Sequence, residues 1–304
     1  MNKIDVADLD CIFLTYDEPN AEENWVKIKN MVPWARRVDG VKGSDAAHKA
    51  AADASTTDRF VLIDGDNIPD PAFFNLTLEV DETCVYRWRA RNHINGLMYG
   101  NGGLSVWSKE FVYNMRTHEA SDGTVENDVE FCFYPNYYAM HDCYSTTYPN
   151  ASAFQAWRAG FREGVKMCLN KGAKPSVAEF CDRVHQRNLD HLTIWHNVGR
   201  DVEHGIWAIA GSRMGTYMTM LTNWDYKLVQ DFSALEQLWD TVKDFDPELV
   251  AGRVAEDLQT QLDLPITVME APASKFFKHH YRSNWHNLGV MVKEIDVIRQ
   301  QEGW

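Results

Sequence analysis

Cysteine is sparse in this sequence and never paired at short range. Six cysteines (Cys11, Cys84, Cys132, Cys143, Cys168 and Cys181) are scattered over 304 residues, and no two make a C-x-x-C pair. A chain of this size has no need of disulfide staples, so scattered reduced thiols in a cytoplasmic protein are expected. No apolar run is long enough to span a bilayer. The first ten residues carry Asp5, Asp8 and Asp10 and no apolar stretch, so no secretory leader is expected. Positive charge is also short. Lys and Arg total 30 against 44 Asp and Glu, a formal net charge of −14. That balance weighs against a simple nucleic-acid-binding module, whose affinity rests largely on phosphate neutralisation, but leaves room for a local basic groove. Internal repeats and low-complexity linkers are missing as well.

What is present suits a folded α/β protein. Hydrophobic residues make up 45% of the chain, ample for a packed core. The length fits two lobes, or one large α/β unit with a helical extension. Cys11-Ile-Phe-Leu-Thr-Tyr16 reads as a buried first strand ending in the turn-prone Asp17-Glu18-Pro19-Asn20. A helix is expected over 21–31, a short strand or turn over 37–41, and an Ala-rich helix over 44–52 capped by Ser44. Phe60-Val-Leu-Ile63 is a short apolar strand that runs into Asp64-Gly65-Asp66-Asn67. Strand, helix, strand, helix, strand implies parallel pairing with right-handed crossovers. In such sheets the ligand crevice lies off the carboxyl ends of the strands. Both acid-rich turns follow strands in that way; the alternative is that they are ordinary solvated turns.

Beyond Tyr148 the pattern turns helical. Phe154, Trp157, Phe161, Val165 and Cys168 recur at spacings of three and four. Ser176-Val-Ala-Glu179 and Ser233-Ala-Leu-Glu236 read as capping boxes. Asp246-Pro247 reads as a cap followed by proline at the first helical position. Residues 1–149 are therefore expected to form an α/β domain carrying both acid-rich turns, and residues 150–304 a mainly helical C-terminal region, expected to contribute to acceptor binding.

Asp64 and Asp66 are two apart at a strand end, so their carboxylates point the same way. Hard oxygen ligands of this kind suit Mg²⁺ or Mn²⁺, completed by substrate phosphates and water. Such an ion would stabilise the charge that builds when a sugar leaves a diphosphate. Phosphatases of the haloacid dehalogenase type also place Asp-x-Asp after an apolar strand, but usually near the domain start and with Thr or Val where Ile68 stands here.

Phe13-Leu-Thr-Tyr-Asp-Glu-Pro-Asn20, Gly40-Val-Lys-Gly-Ser-Asp-Ala-Ala-His48 and Val61-Leu-Ile-Asp-Gly-Asp-Asn67 together resemble the opening of a GT-A fold glycosyltransferase of the family 2 kind. Tyr99-Gly-Asn-Gly-Gly-Leu104 resembles that family's glycine-rich acceptor loop, and Glu126-Asn-Asp-Val-Glu-Phe131 its acidic segment carrying the base. The resemblance implies a Rossmann-like nucleotide-sugar domain. Thr15, Tyr16, Asp17 and Glu18 would meet the base and ribose of a uridine nucleotide. Lys42, Asp45 and His48 would lie near the same nucleotide or its phosphates, with Gly102 and Gly103 also against the nucleotide sugar. Asp64 would face the ribose and metal, and Asp66 would ligate the metal. Asp128 would deprotonate the acceptor hydroxyl, a role carboxylates perform within hydrogen-bond reach. Asn127 stands where the family commonly has Glu, which makes Glu126 the substitute. His141 is the candidate third metal ligand.

Three local features run against the acidic charge: Arg87, Arg89 and Arg91 on one face of a possible strand; Arg158, Arg162 and Lys166 at spacings of four; and Lys275-Phe-Phe-Lys-His-His-Tyr-Arg282. Arginines beside aromatic rings suit a phosphate backbone with stacked or flipped bases, or else are solvated faces. The phrase Phe154-Gln-Ala-Trp-Arg-Ala-Gly-Phe-Arg-Glu-Gly-Val-Lys166 resembles segments of phage glycosyltransferases, relatives of which glycosylate hydroxymethylated pyrimidines in DNA. It implies a hydroxymethylcytosine or hydroxymethyluracil acceptor, with a host-cytoplasmic enzyme if phage-encoded. A saccharide or lipid-linked acceptor remains the competing reading, and eleven tryptophans suit sugar stacking equally well. A non-catalytic nucleotide- or carbohydrate-binding protein is the reading from another class.

Overall fold

The computed structural model describes residues 2–100, 103–115, 136–267 and 269–281. They form a mixed α/β protein that divides into two compact units. One comprises the described residues up to Asn92 and from Met98 to Tyr148; the other comprises His93–Leu97 and the described chain from Pro149 onward.

The first unit is ordered as β1 (Asn2–Asp5), β2 (Asp10–Thr15), α1 (Ala21–Met31), β3 (Arg36–Asp39), α2 (Ser44–Ala54), β4 (Arg59–Asp64), β5 (Asn67–Pro69), β6 (Thr77–Val80), β7 (Val85–Asn92), β8 (Met98–Tyr99), β9 (Leu104–Ser108), α3 (Lys109–Asn114) and β10 (Tyr137–Thr147). β1 and β6 make a separate antiparallel ribbon. The remaining strands form one sheet in the order β3-β2-β4-β9-β7-β10-β5, with β8 paired to β7. As the strand–helix alternation requires, β2 is parallel to both β3 and β4. β9 then runs antiparallel to β4 and to β7, and β10 returns parallel to β7. The sheet is therefore mixed rather than purely parallel.

Residue pattern explains which strands lie deepest. β4 is buried at every position until Asp64 because both faces are covered. On one face Cys11, Phe13, Val61, Ile63 and Trp88 pack with Ile28 of α1. On the other, Ile12, Phe60, Leu62 and Trp107 pack with Ala51 and Ala52 of α2 and Val112 of α3. β7 alternates strictly: Trp88 and Ala90 are buried, while Arg87, Arg89 and Arg91 take the opposite face and are half-buried. Trp88 sits edge-on to Phe73, with ring centroids 4.9 Å apart.

The second unit is helical where regular: α4 (Ala153–Met167), α5 (Phe180–Arg183), α6 (Gln186–Asn197), α7 (Gly205–Leu221), α8 (Phe232–Asp240), α9 (Pro247–Arg253), α10 (Ala255–Leu262) and α11 (Ala271–Tyr281). α4 and α7 approach until backbones touch. A Cβ on Gly160 or Gly164 would strike the carbonyls of Ala208 and Ser212, and one on Gly211 or Gly215 those of Trp157 and Phe161. Buried Arg213 serves main-chain carbonyls, donating to His196 O at 2.9 Å and Ala251 O at 3.2 Å. Lys278 of α11 pairs with Asp201 at 2.7 Å and donates to His93 O and Ile94 O. No described helix is long and apolar enough to cross a membrane.

Caps expose two corrections. Ser44 is the first residue of α2, not its cap; Gly43, at φ +93°, precedes it. Asp231, rather than Ser233, caps α8, accepting from the Ser233 and Ala234 amides. Asp246 caps α9 as its Asp-Pro step implies, accepting from Glu248 N at 2.9 Å. Ser176 donates to Glu179 at 2.7 Å but opens a short 3₁₀ turn before α5.

Candidate functional site at the ends of the parallel strands

β4 ends on Asp64, and the chain turns at once through Gly65 and Asp66. This turn is held from several sides. The Asp64 amide donates to Gly103 O at 2.7 Å, and a Cβ on Gly103 would collide with the Asp64 side chain. Gly65 is equally constrained: a Cβ there would lie 2.7 Å from Glu18 Oε2 and 3.0 Å from Thr15 Cγ2. Asn24, buried on α1, donates its Nδ2 to Gly65 O at 2.8 Å. From β10, Thr147 Oγ1 donates to Asp66 Oδ2 at 3.1 Å, and the next amide, Tyr148 N, donates to Asp66 O at 2.8 Å. Two glycines thus let a carboxylate and a neighbouring loop come closer than any side chain would permit.

The charge arrangement is unusual. Glu18, whose Oε2 accepts from Tyr16 N at 2.9 Å, lies over Gly65 between the two strand ends. Asp64 keeps one side open to water, while its other side is hemmed in by the turn and the Gly103 loop. Desolvation on that side, then the charges of Asp66 and Glu18, push its pKa up to about 7. Among the described residues neither Asp64 nor Glu18 has a Lys or Arg within ion-pair distance. Nor do three His, Cys, Asp or Glu side chains converge there as a closed metal site. The pair Asp64 and Asp66 suits an open site, in which one or two carboxylates leave most coordination positions to phosphate and water.

Beside this turn, β2 and β3 end together, with Thr15 opposite Asp39. Thr15 Oγ1 donates to Asp39, and Arg37 Nε donates to Thr15 Oγ1 at 2.8 Å. The Thr15 hydroxyl and the Arg37 guanidinium hold the Asp39 carboxyl below its usual value. Sequence reasoning passed over Asp39, Asn24 and Thr147. A signal for Asp39 existed: it closes a short strand immediately before Gly40, as Asp64 does before Gly65. Nothing local marks Thr147, which lies 81 residues from its partner.

The remaining expected contacts divide. Tyr16 and Asp17 are exposed beside Glu18, and Lys42 is exposed. Asp45 pairs with Lys49 at 2.6 Å within its own helix. His48 turns Nδ1 to Ser44 O at 2.7 Å and sets its ring edge-on to Trp107, 5.0 Å between centroids. His141 does not join the acids. Its Nδ1 lies 3.2 Å from Arg89 Nη2, and among the described residues no three His, Cys, Asp or Glu side chains gather as a metal site. Gly102, Glu126 and Asp128 lie outside the described residues.

The basic features also separate. Arg87, Arg89 and Arg91 share one face of β7, as strand alternation requires. On α4, Arg158 lies over the rings of Phe154 and Phe232, at 5.2 and 5.0 Å, and Arg162 over Phe232 at 5.6 Å. Lys166 stands 3.9 Å from Glu163. Lys275 and His279 are exposed on α11, whereas Phe276 and Phe277 are buried, so that segment is an amphipathic helix over a core.

No family model matches the chain, and no curated protein and no solved structure matches it.

Proposed function

We propose that this chain is a metal-dependent glycosyltransferase of GT-A type. In this reading it moves a sugar from a UDP-sugar to an acceptor hydroxyl, here that of a hydroxymethylated pyrimidine in DNA. One observation carries the proposal: Asp64 and Asp66 share one glycine-lined turn at the carboxyl end of a parallel strand, with Glu18 closing over it and, among the described residues, no basic side chain within ion-pair distance of Asp64 or Glu18. Crowded carboxylates of this kind call for a cation, and the two glycines let those carboxylates close against the backbone.

Asp64 and Asp66 would hold Mn²⁺ or Mg²⁺, which would supply Lewis-acid stabilisation of the departing diphosphate. Thr147 fixes the Asp66 carboxylate through its hydroxyl, and Asn24 fixes the turn through Gly65 O. Thr15, Tyr16, Glu18 and Asp39 line the adjoining strand ends, where the uridine would rest. Asp128, or Glu126 in its place, would take the proton as the acceptor oxygen attacks the anomeric carbon and the bond to the diphosphate breaks.

The test is release of UDP from UDP-sugars in Mn²⁺. Turnover in the parent, absent in Asp66→Ala and restored by no other divalent ion in that variant, is the expected result. A parent protein that neither binds UDP nor hydrolyses any UDP-sugar would overturn the reading. Transfer of radiolabel to hydroxymethylcytosine DNA tests the acceptor; label found on glycan instead would replace it.

A further inference from the structure

The three arginines of β7 present a charge problem that the described residues do not solve. Arg87, Arg89 and Arg91 sit at alternate positions on one face, so neighbouring Cα atoms are about 6.6–6.8 Å apart and the row spans roughly 13 Å. Among the described residues none of the three has a carboxylate within ion-pair distance, in a chain with 44 acidic residues. Arg37, Arg183 and Arg200, by contrast, each pair with Glu or Asp. The Arg87 guanidinium lies over Tyr137 at 4.9 Å, and its Nε is buried without a hydrogen-bond partner. Arg89 meets the His141 ring nitrogen, and Arg91 the Met98 thioether at 3.7 Å.

The row also has a definite relation to the acid turn. Arg87 and Leu62 both stand opposite Ser105 of β9, so Arg87 projects from the same face as Leu62. Asp64, two residues beyond Leu62, shares that face. β7 and β4 run in the same direction on either side of β9, which brings Arg89 to about the level of Asp64. Two strand spacings, roughly 10 Å, separate them.

We propose that Arg87, Arg89 and Arg91 form the track for the phosphate backbone of a nucleic-acid strand, one of whose bases reaches across β9 to the Asp64 turn. This rests on the glycosyltransferase reading for the chemistry at that turn. A single phosphate cannot serve a row this long; successive phosphates of one strand can. The gap to Asp64 is the kind of span that an extruded base crosses between its backbone and its reactive edge. The α4 stripe is a poorer track, since Arg158 and Arg162 already cover aromatic rings and Lys166 has Glu163 close by.

The experiment measures binding of a fluorescein-labelled single-stranded oligonucleotide to the full chain across a salt series, with UDP binding measured in parallel by calorimetry. Arg89→Gln and Arg91→Gln should each weaken oligonucleotide binding by about tenfold and lower the log–log salt slope by roughly 0.7. UDP affinity should hold in both. Arg183→Gln, a surface arginine paired with Glu179, should change neither. The proposal fails if the parent binds no oligonucleotide, or if Arg89→Gln and Arg91→Gln bind it as the parent does. It also fails if those variants lose UDP instead, or if Arg162→Gln weakens oligonucleotide binding as much as they do. Row-dependent oligonucleotide binding by a parent that does not bind UDP would support the track while refuting the glycosyltransferase reading.

Discussion

The Glu18 carboxylate occupies the space that a β-carbon on Gly65 would need. Two turns from different strands are thereby interlocked: one gives up its side chain so that the other can place an acid over it. Gly65→Ala should displace Glu18 without unfolding the sheet, because the clashing atom is the tip of a side chain. We expect UDP affinity in Mn²⁺ to fall severalfold, with the urea midpoint of unfolding within the spread usual for surface substitutions. Calorimetry and a denaturation curve on the same sample check both halves.

Thr147→Val tests how far the far end of β10 matters to the turn. The variant loses the 3.1 Å hydrogen bond to Asp66 and keeps the shape of the side chain. A loss of about 0.5–1.5 kcal/mol is expected from a bond of this kind, read as weaker Mn²⁺ binding. Titration followed by manganese electron paramagnetic resonance would measure it; unchanged affinity would show that the backbone bond from Tyr148 suffices.

With Asp64 as a metal ligand, the proposed ion should bind with a pH dependence of defined direction. Its pKa is raised from 3.8 to about 7, so the folded protein holds a proton there that the unfolded chain has already released. The group's contribution to stability is therefore complete below about pH 4 and is lost as pH rises toward 7. A divalent ion needs the deprotonated carboxylate. Mn²⁺ affinity should rise with pH below 7 and level off above it, and Asp64→Asn should flatten that profile.

The helical unit allows a paired test of packing. Gly211→Val drives side-chain atoms into the Trp157 carbonyl across the α4–α7 seam and should destabilise by at least about 2–3 kcal/mol. Gly252, in α9, has open space around its Cβ position, so Gly252→Ala should be neutral or stabilise by up to about 1 kcal/mol. Urea midpoints of the two variants should move apart.

Lys278→Met should destabilise the second unit. It leaves Asp201 largely buried without its partner and removes the Lys278 donor from the carbonyls of His93 and Ile94. About 3 kcal/mol is expected for breaking a pair of this kind from one side, and Asp201→Asn should cost less because a hydrogen bond survives. Thermal unfolding of both variants orders them.

Several of these features were readable before any coordinates. The apolar runs 11–16 and 60–63 gave the parallel strands and so the two acid turns, because strands covered on both faces lose their alternation. Arg87, Arg89 and Arg91 showed their common face through strict alternation with Tyr86, Trp88 and Ala90. Other features depend on partners distant in sequence. β10 mixes Met140, His141, Asp142 and Cys143 without a period, since register shifts interrupt its pairing with β7. Spacing along the chain therefore could not show that Thr147, and not His141, ends up against Asp66. Cap residues were misread where two candidates stood close together, as at Asp231 and Ser233, because the choice depends on which amide is left free.

The reciprocal contact of α4 and α7 limits how this part of the sequence can drift. Each helix lends its glycines to the other's main chain, so neither can gain bulk, slide or rotate while its neighbour stays unchanged. Tolerated substitutions along the seam should arise as compensating pairs, one on each helix, and any collection of functional variants should show the two stretches changing in step.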